Sequence, residues 1–416
     1  MNIILLIISI AIYLSYGIPN VIYILFSMLT SFIAAKHVKN NKKILAITVT
    51  INAGILIFVK FLPYTNLSIV APLGVAYYTL QVISYLVDVY KGKYEYETNL
   101  IDYALYIMYI PHLFIGPIAR YDEMKNELKS KRKISLNNLY NGGIRILWGL
   151  FKKLVIAGRI SIIITTITGN SEIYNGWYAL LAMFAYSIQL YSDFSGGIDI
   201  VIGVSKILEI NLPENFNSPF LAENIKEFWR RWHITLSTWL KDYIYIPLGG
   251  NRCGKFRKSI NVLITFIVSG LWHGVNYILW GIIHGIFVLF GDKYKTKHKW
   301  INITINFVIV SILWSFFIWN SNITAIEMIA SIFTNFNLVE VCNNILNLGL
   351  AKADWLVLLI SIIALIKFDG NKYKEKVKNK TTEKKLIIIC TLSLIILVFG
   401  IYGIGFNVTE FIYSKF

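Results

Sequence analysis

Residues 213–252 read PENFNSPFLAENIKEFWRRWHITLSTWLKDYIYIPLGGNR, and residues 270–274 read GLWHG. The region from Pro213 to His284 contains three of the six histidines and five of the eleven tryptophans of the chain. His233 lies within RRWHITLS, and His273 lies between Trp272 and Gly274. We expect the rest of the chain to be a scaffold that positions this region.

The composition is that of a membrane protein. The mean hydropathy is +0.59, and 56% of the residues are hydrophobic while only 15% are charged. Apolar runs of about 20 residues recur, which is the length that a helix needs to cross a bilayer. They lack the two-residue alternation of a membrane barrel. The sequence predicts an all-α integral membrane protein with about 11 transmembrane helices. We assign residues 1–416 to one domain, with a catalytic core at about 191–284.

The net charge of +17 arises from 40 basic and 23 acidic residues. The basic residues cluster in short loops between apolar segments, which is the pattern of cytoplasmic loops and favours anionic lipid headgroups. We therefore predict a lipid bilayer partner and no nucleic acid. The clusters lie at 36–43, 91–93, 120–133, 252–258, 293–299 and 367–385.

The sequence gives no sign of a bound metal or cofactor. Cys253, Cys342 and Cys390 are far apart and lack the spacing of a zinc site or a disulfide framework. We find no nucleophile elbow, no P-loop and no dinucleotide fingerprint.

Two segments are predicted to be irregular or to lie in the membrane plane. Residues 103–118, YALYIMYIPHLFIGPI, contain Pro111 and Pro117, and we expect a re-entrant or broken segment beside a cavity. Residues 223–245 have helical periodicity but carry seven charges, which excludes a helix that faces lipid. We predict that they form one in-plane amphipathic helix.

His233 and His273 are the predicted catalytic residues. His233 is one helical turn from Trp229 and from Ser237, and aromatic neighbours favour the neutral imidazole that accepts protons. His273 lies in a break flanked by glycines, between residues 260–271 and 277–290, which are both apolar. One histidine can act as a general base while the other stabilises an oxyanion. The alternative is a buried histidine that bonds a backbone carbonyl.

Asp193 lies among apolar residues in YSDFSGGIDIVIG, residues 191–203. Two interpretations remain open. The carboxylate can cap a helix that starts after it, or it can contact the substrate or a histidine.

The chain resembles the membrane-bound O-acyltransferases, and in particular the branch that acts in alginate O-acetylation and in D-alanylation of teichoic acid. The resemblance rests on segments 72–92, 111–124, 191–203, 213–252, 270–274 and 411–416, the last of which reads FIYSKF. It implies a ring of helices around a central tunnel, with a thioester donor on the cytoplasmic side and an acceptor outside. It also implies that His273 is the catalytic histidine and that His233 is the second motif histidine.

We therefore predict a bacterial cell-membrane O-acyltransferase for a cell-wall or extracellular polysaccharide, with acetyl-CoA as donor. The resemblance implies an extracytoplasmic partner that receives the acyl group. The alternatives are D-alanyl transfer from a carrier protein, and a proton-coupled transporter or flippase, although no inverted repeat is evident.

The remaining candidate site residues fall into two groups. Those predicted to line the tunnel are Trp229, Trp232, Trp272, Asp193, Asn217 and Ser237. Those predicted to bind donor phosphates are Arg230, Arg231 and Lys241, although each can instead be an interfacial charge.

Overall fold

A computed structural model describes residues 2–66, 72–133, 135–291, 296–319 and 321–402. In these ranges every regular element is a helix, which confirms the prediction of an all-α protein. The FIYSKF motif lies outside the described residues.

The α-helices follow one another along the whole chain. They are α1 (Asn2–Ser15), α2 (Ile18–Val38), α3 (Lys42–Phe61), α4 (Val75–Tyr90), α5 (Leu100–Met108), α6 (Ile110–Phe114), α7 (Tyr121–Lys129), α8 (Leu136–Leu150), α9 (Gly158–Gly169), α10 (Trp177–Ile207), α11 (Ile225–Arg231), α12 (Ile234–Leu240), α13 (Gly254–His273), α14 (Ile278–Phe290), α15 (Lys299–Leu313), α16 (Ser315–Ile318), α17 (Asn322–Thr334), α18 (Leu338–Asn344), α19 (Lys352–Phe368), α20 (Asn371–Lys378) and α21 (Thr382–Phe399). Phe151–Ala157 and Lys241–Tyr245 are π-helical, and 3₁₀ turns occur at Leu62–Tyr64, Pro219–Leu221, Val275–Tyr277 and Ile345–Asn347.

Among the described residues, three helical segments are long and apolar enough to cross a membrane: Ile18–Val38, Lys42–Tyr64 and Lys299–Ile318. The bent pair formed by α17 and the helical residues that follow it makes a fourth if it is counted as one span. The predicted number of about 11 crossings is not confirmed by this count. Most of the other helices are shorter; α10 has 31 residues but contains Asp193 and Asp199, and α13 begins with several basic residues.

Helix α10 is the central helix, and α8 packs along it at very short range. A Cβ atom on Gly149 would lie 2.4 Å from the carbonyl oxygen of Gly196, and one on Gly142 would lie 2.6 Å from that of Gly203. Small residues allow such close approach of two backbones. Because α10 runs unbroken through Asp193, the interpretation of Asp193 as a helix cap is wrong.

The predicted breaks are confirmed in two places and missed in a third. Helix α5 ends at Met108, before α6, so residues 103–118 are broken as expected. The predicted helix pair around GLWHG is present as α13 and α14. The single helix predicted at 223–245 is wrong, because α11 ends at Arg231 and α12 begins at Ile234. The break contains Trp232 and His233, and His233 has a φ of +44°.

Candidate active site

His273 is the last residue of α13, and glycines determine how it is presented. Gly274 has a φ of +149°, which L side chains rarely adopt, and it ends the helix. A Cβ atom on Gly270 would lie 2.4 Å from the carbonyl oxygen of Tyr277, and one on Gly281 would lie 2.3 Å from that of Phe266. Close packing of α13 on α14 therefore requires glycine at both positions.

Aromatic rings surround the His273 imidazole, which is only 7% exposed. The centroid of its ring lies 4.7 Å from that of Trp272, 5.5 Å from Trp280 and 5.6 Å from Phe317. Such surroundings favour the neutral imidazole, which is the form that accepts a proton.

His233 occupies the left-handed backbone region between α11 and α12, and it is 1% exposed. This conformation costs a non-glycine residue about 1–2 kcal/mol. Asn215 stabilises it, because its Oδ1 accepts hydrogen bonds from the Thr235 backbone N–H at 3.0 Å and the Thr235 hydroxyl at 2.9 Å. The Asn215 carbonyl accepts the Ile234 N–H at 2.9 Å. Backbone outliers that are held in place in this way cluster at functional sites.

Asn215 also contacts the His233 ring, with 3.3 Å between Oδ1 and Nδ1. A proton on Nδ1 would donate to this oxygen and leave Nε2 as the proton acceptor. The side chain that orients His233 is thus Asn215. The predicted residue Asn217 is exposed, and its backbone N–H donates to the carbonyl of Arg231.

The two histidines lie on the same tryptophan. The Trp272 ring centroid is 6.0 Å from that of His233 and 4.7 Å from that of His273. The Trp272 indole N–H donates to the Ala76 carbonyl of α4 at 3.3 Å, which helps to fix the position of the ring. Two titratable groups that are distant in sequence therefore lie beside one tryptophan inside the helical core.

Lys60 is a residue of this site that we did not predict. Its ammonium group, on α3, donates to the His273 carbonyl at 3.3 Å. A cation at this position complements the negative end of α13 and places a positive charge beside His273. The available signal was a single lysine inside the apolar run LIFVKFL, since an ionisable group in such a run is a functional candidate.

The other predicted tryptophans, Trp229 and Trp232, also pack against aromatic rings. The Trp232 ring lies 5.5 Å from Phe228, on which it stacks, and 5.3 Å from Trp314, which we did not predict. The Trp229 ring lies 5.3 Å from His284.

His284 is fully buried next to Trp229 and Trp280. Among the described residues, neither of its ring nitrogens has a hydrogen-bond partner. The Trp280 ring lies close to both histidines, with ring-centroid distances of 4.7 Å to His284 and 5.5 Å to His273.

The predicted donor-binding residues lie at the surface or in local contacts. Arg230 and Lys241 are exposed, and Arg231 forms an ion pair with Glu227 at 2.5 Å. The half-buried Ser237 donates its hydroxyl to the Trp232 carbonyl at 3.2 Å. The donor-binding role of Arg230, Arg231 and Lys241 stays a prediction, and so does the place of Ser237 in the tunnel wall.

Asp193 forms an ion pair with Lys153 of the adjacent π-helical segment at 2.8 Å, and both side chains are buried. The predicted contact of Asp193 with the substrate or a histidine stays a prediction. Lys153, which lies in the segment FKKLVIA, was not among the predicted site residues.

A buried ion network lies further along α10. Asp199 pairs with Arg145 at 2.6 Å and with Lys152 at 2.5 Å, and Lys152 reaches Asp369 at 3.0 Å. Glu214 accepts two hydrogen bonds from Arg145 and lies 3.4 Å from Lys374. Three cations thus face three carboxylates. Trp148 and Tyr191 also donate to Asp369.

Residues 95–334 match the model of the membrane-bound O-acyltransferase family. This chain belongs to that family. The matched segment contains both candidate histidines, whereas Lys60 lies before it.

Individual members of the membrane-bound O-acyltransferase family are also similar to this chain. A protein of Pseudomonas syringae pv. tomato named probable alginate O-acetylase is 39% identical over 230 residues, which is 54% of this chain and 44% of the relative. The peptidoglycan O-acetyltransferase of Helicobacter pylori is 35% identical over 290 residues, 61% of this chain and 55% of the relative. The teichoic acid D-alanyltransferase of Bacillus subtilis is 32% identical over 252 residues, 56% of this chain and 63% of the relative. The chain spans about half the length of the first of these relatives.

Proposed function

We propose that this chain is a bacterial membrane O-acyltransferase that moves an acetyl group from acetyl-CoA to hydroxyl groups of a cell-wall or extracellular polysaccharide. The observation that carries the proposal is the placement of His233 and His273 beside the same tryptophan, Trp272. Membership of the family and the names of the relatives support the same reaction class.

In the proposed reaction an acceptor hydroxyl attacks the thioester carbonyl. His273 takes the hydroxyl proton, the C–O bond forms, and the C–S bond breaks as the thiolate leaves and is protonated. The His233 imidazole orients the acceptor or donates to the oxyanion. Lys60 holds the His273 backbone, and its positive charge favours the negative charge that develops on the carbonyl oxygen.

The proposal includes a multi-pass position in the bacterial inner membrane, with about 11 crossings and a central tunnel. The donor enters from the cytoplasmic side. The immediate acceptor is either the polysaccharide itself or a hydroxyl of an extracytoplasmic partner protein.

Catalysis by His273 is tested by complementation of a deletion strain with His273→Ala. We expect the acetyl content of the wall and extracellular polymers, measured by mass spectrometry, to fall about 100-fold or more, since a general base contributes about 10²–10⁴ in rate. His298→Ala is the matched control, because His298 is exposed. Normal acetylation with His273→Ala at equal protein level would overturn the assignment.

D-alanyl transfer is the second candidate, and the similarity to the Bacillus subtilis enzyme favours it. Purified protein can be offered acetyl-CoA and a D-alanyl carrier protein in parallel. If only the carrier thioester is turned over, the assigned reaction is D-alanyl transfer and not acetyl transfer. The assignment as an acyltransferase would still hold. Ion-coupled flux without acyl turnover would instead support a transporter.

A further inference from the structure

A cavity of about 500 Å³ is lined by residues of α8, α10, α19, α20 and α21, and none of the candidate site residues lines it. Most of its wall is apolar and includes Ile144 of α8, Ile202 of α10 and Ile388 of α21. One part of the lining is basic and includes Lys206, at the end of α10, and Lys378, at the end of α20. The cavity thus combines a long apolar surface with a cationic end.

The charges at this end are not all neutralised by the protein. Arg145 and Lys374 also line the cavity, but both lie beside Glu214 in the buried ion network. In the described part of the chain, no carboxylate lies within 4.0 Å of the ammonium group of Lys206 or of Lys378. The remaining acid of the lining, Glu375, is exposed. Lys206 is half-buried, so its charge is less well hydrated than that of a surface lysine.

Helix α20 strengthens the case for an anionic ligand at the membrane surface. Its sequence, NKYKEKVK, has four lysines and one glutamate, and it directly precedes the apolar helix α21. Basic segments next to a membrane helix attract anionic lipid headgroups. A soluble anion would use the lysines but would leave the apolar wall uncovered, whereas an acyl chain would cover it.

We propose that this cavity binds an anionic phospholipid, whose acyl chain lies along the apolar wall and whose phosphate lies between Lys206 and Lys378. Charge complementarity selects the headgroup, and the apolar wall selects a lipid over a soluble phosphate. The site is separate from the histidines and does not depend on the proposed acyl transfer.

Native mass spectrometry of the full chain in a neutral detergent can test the site. The probes are phosphatidylglycerol and phosphatidylcholine with identical acyl chains. We expect the wild-type protein to bind phosphatidylglycerol about ten-fold more tightly or better. The double variant Lys206→Gln, Lys378→Gln should lose about 30-fold in affinity for phosphatidylglycerol, as expected when two lysines near a lipid phosphate are removed.

The matched control is Lys255→Gln, Lys258→Gln, which removes two exposed lysines at the start of α13 and should retain the affinity. Ile388→Trp fills the cavity without changing a charge and should weaken binding of both lipids. This variant tests the cavity even if the lysine variant does not fold.

Three results would overturn the proposal. The first is equal binding of phosphatidylglycerol by the wild-type protein and both cavity variants. The second is an equal loss in the control. The third is one-for-one displacement of phosphatidylglycerol by acetyl-CoA, which would make the cavity a donor site.

Discussion

Replacement of Asp199 by asparagine should strongly destabilise the protein. The Asp199 carboxylate is 2% exposed and lies within 4 Å of three cations: Arg145 at 2.6 Å, Lys152 at 2.5 Å and Lys374 at 3.6 Å. Asparagine keeps the size of the side chain and removes its charge. The substitution therefore tests the electrostatics of the buried ion network separately from its packing.

The magnitude follows from the count of charges. The wild-type network balances three cations with three carboxylates, whereas Asp199→Asn leaves one buried positive charge uncompensated. Removal of one partner from a buried ion pair costs about 3–5 kcal/mol. The exposed pair of Lys39 and Glu95, whose side chains are 51% and 72% exposed, gives the comparison. A surface pair contributes about 1 kcal/mol or less, so Glu95→Gln should have little effect.

The free energy of unfolding can be measured by titration with sodium dodecyl sulfate in mixed micelles, with tryptophan fluorescence as the signal. Asp199→Asn and Glu95→Gln are compared because each converts one carboxylate to its amide. Lys152→Met, added to the Asp199→Asn variant, removes one cation and restores the balance of charges. The double variant should therefore recover part of the lost free energy of unfolding. Equal free energies of unfolding of Asp199→Asn and Glu95→Gln would refute the reasoning. A double variant Asp199→Asn, Lys152→Met that is less stable than Asp199→Asn alone would also refute it.

Two other substitutions test the packing of α8 and the role of Lys60. Gly149→Ala should destabilise the protein by about 1–3 kcal/mol, because its Cβ would overlap the α10 backbone. Gly143→Ala, where nothing lies within 4 Å of the added Cβ, should be neutral or stabilising in the same titration. Lys60→Met should lower acyl transfer about ten-fold, the value of one charge-assisted hydrogen bond, whereas Lys60→Arg should retain most of it. The pH of half-maximal activity on the acid side should rise in Lys60→Met, since a positive charge beside the His273 imidazole opposes its protonation; an unchanged pH profile would restrict Lys60 to a structural role.

The sequence predicted those parts of the site whose backbone conformation depends on residues nearby in the chain. The two helices that flank GLWHG and the turn between them depend on glycines within a few residues of His273. The break near Pro111 has the same origin, because proline acts on its own turn. Apolar composition predicted an all-helical chain for a similar reason, since each long apolar run can form its own backbone hydrogen bonds.

The break at His233 could not be predicted in this way. Residues 223–245 keep helical periodicity across it, so the hydrophobic pattern gives no sign of a change in direction. The left-handed conformation of His233 is stabilised by hydrogen bonds to Asn215, which lies outside the periodic segment. The sequence does not show which backbone groups the side chain of a loop asparagine will hydrogen-bond. Tertiary contacts therefore overrode a strong local pattern.

The buried ionisable residues of the core have two kinds of surroundings. The carboxylates of Asp193 and Asp199 on α10 face lysines at ion-pair distance, so protonation of either carboxylate would leave a buried lysine charge uncompensated. Such groups suit a scaffold better than a proton relay, which has to change its protonation state repeatedly. The imidazoles of His233 and His273 lie instead among aromatic rings, where they can be neutral without disturbing an ion pair. The ion pairs of α10 thus favour a scaffold role for these two carboxylates over ion transport along α10.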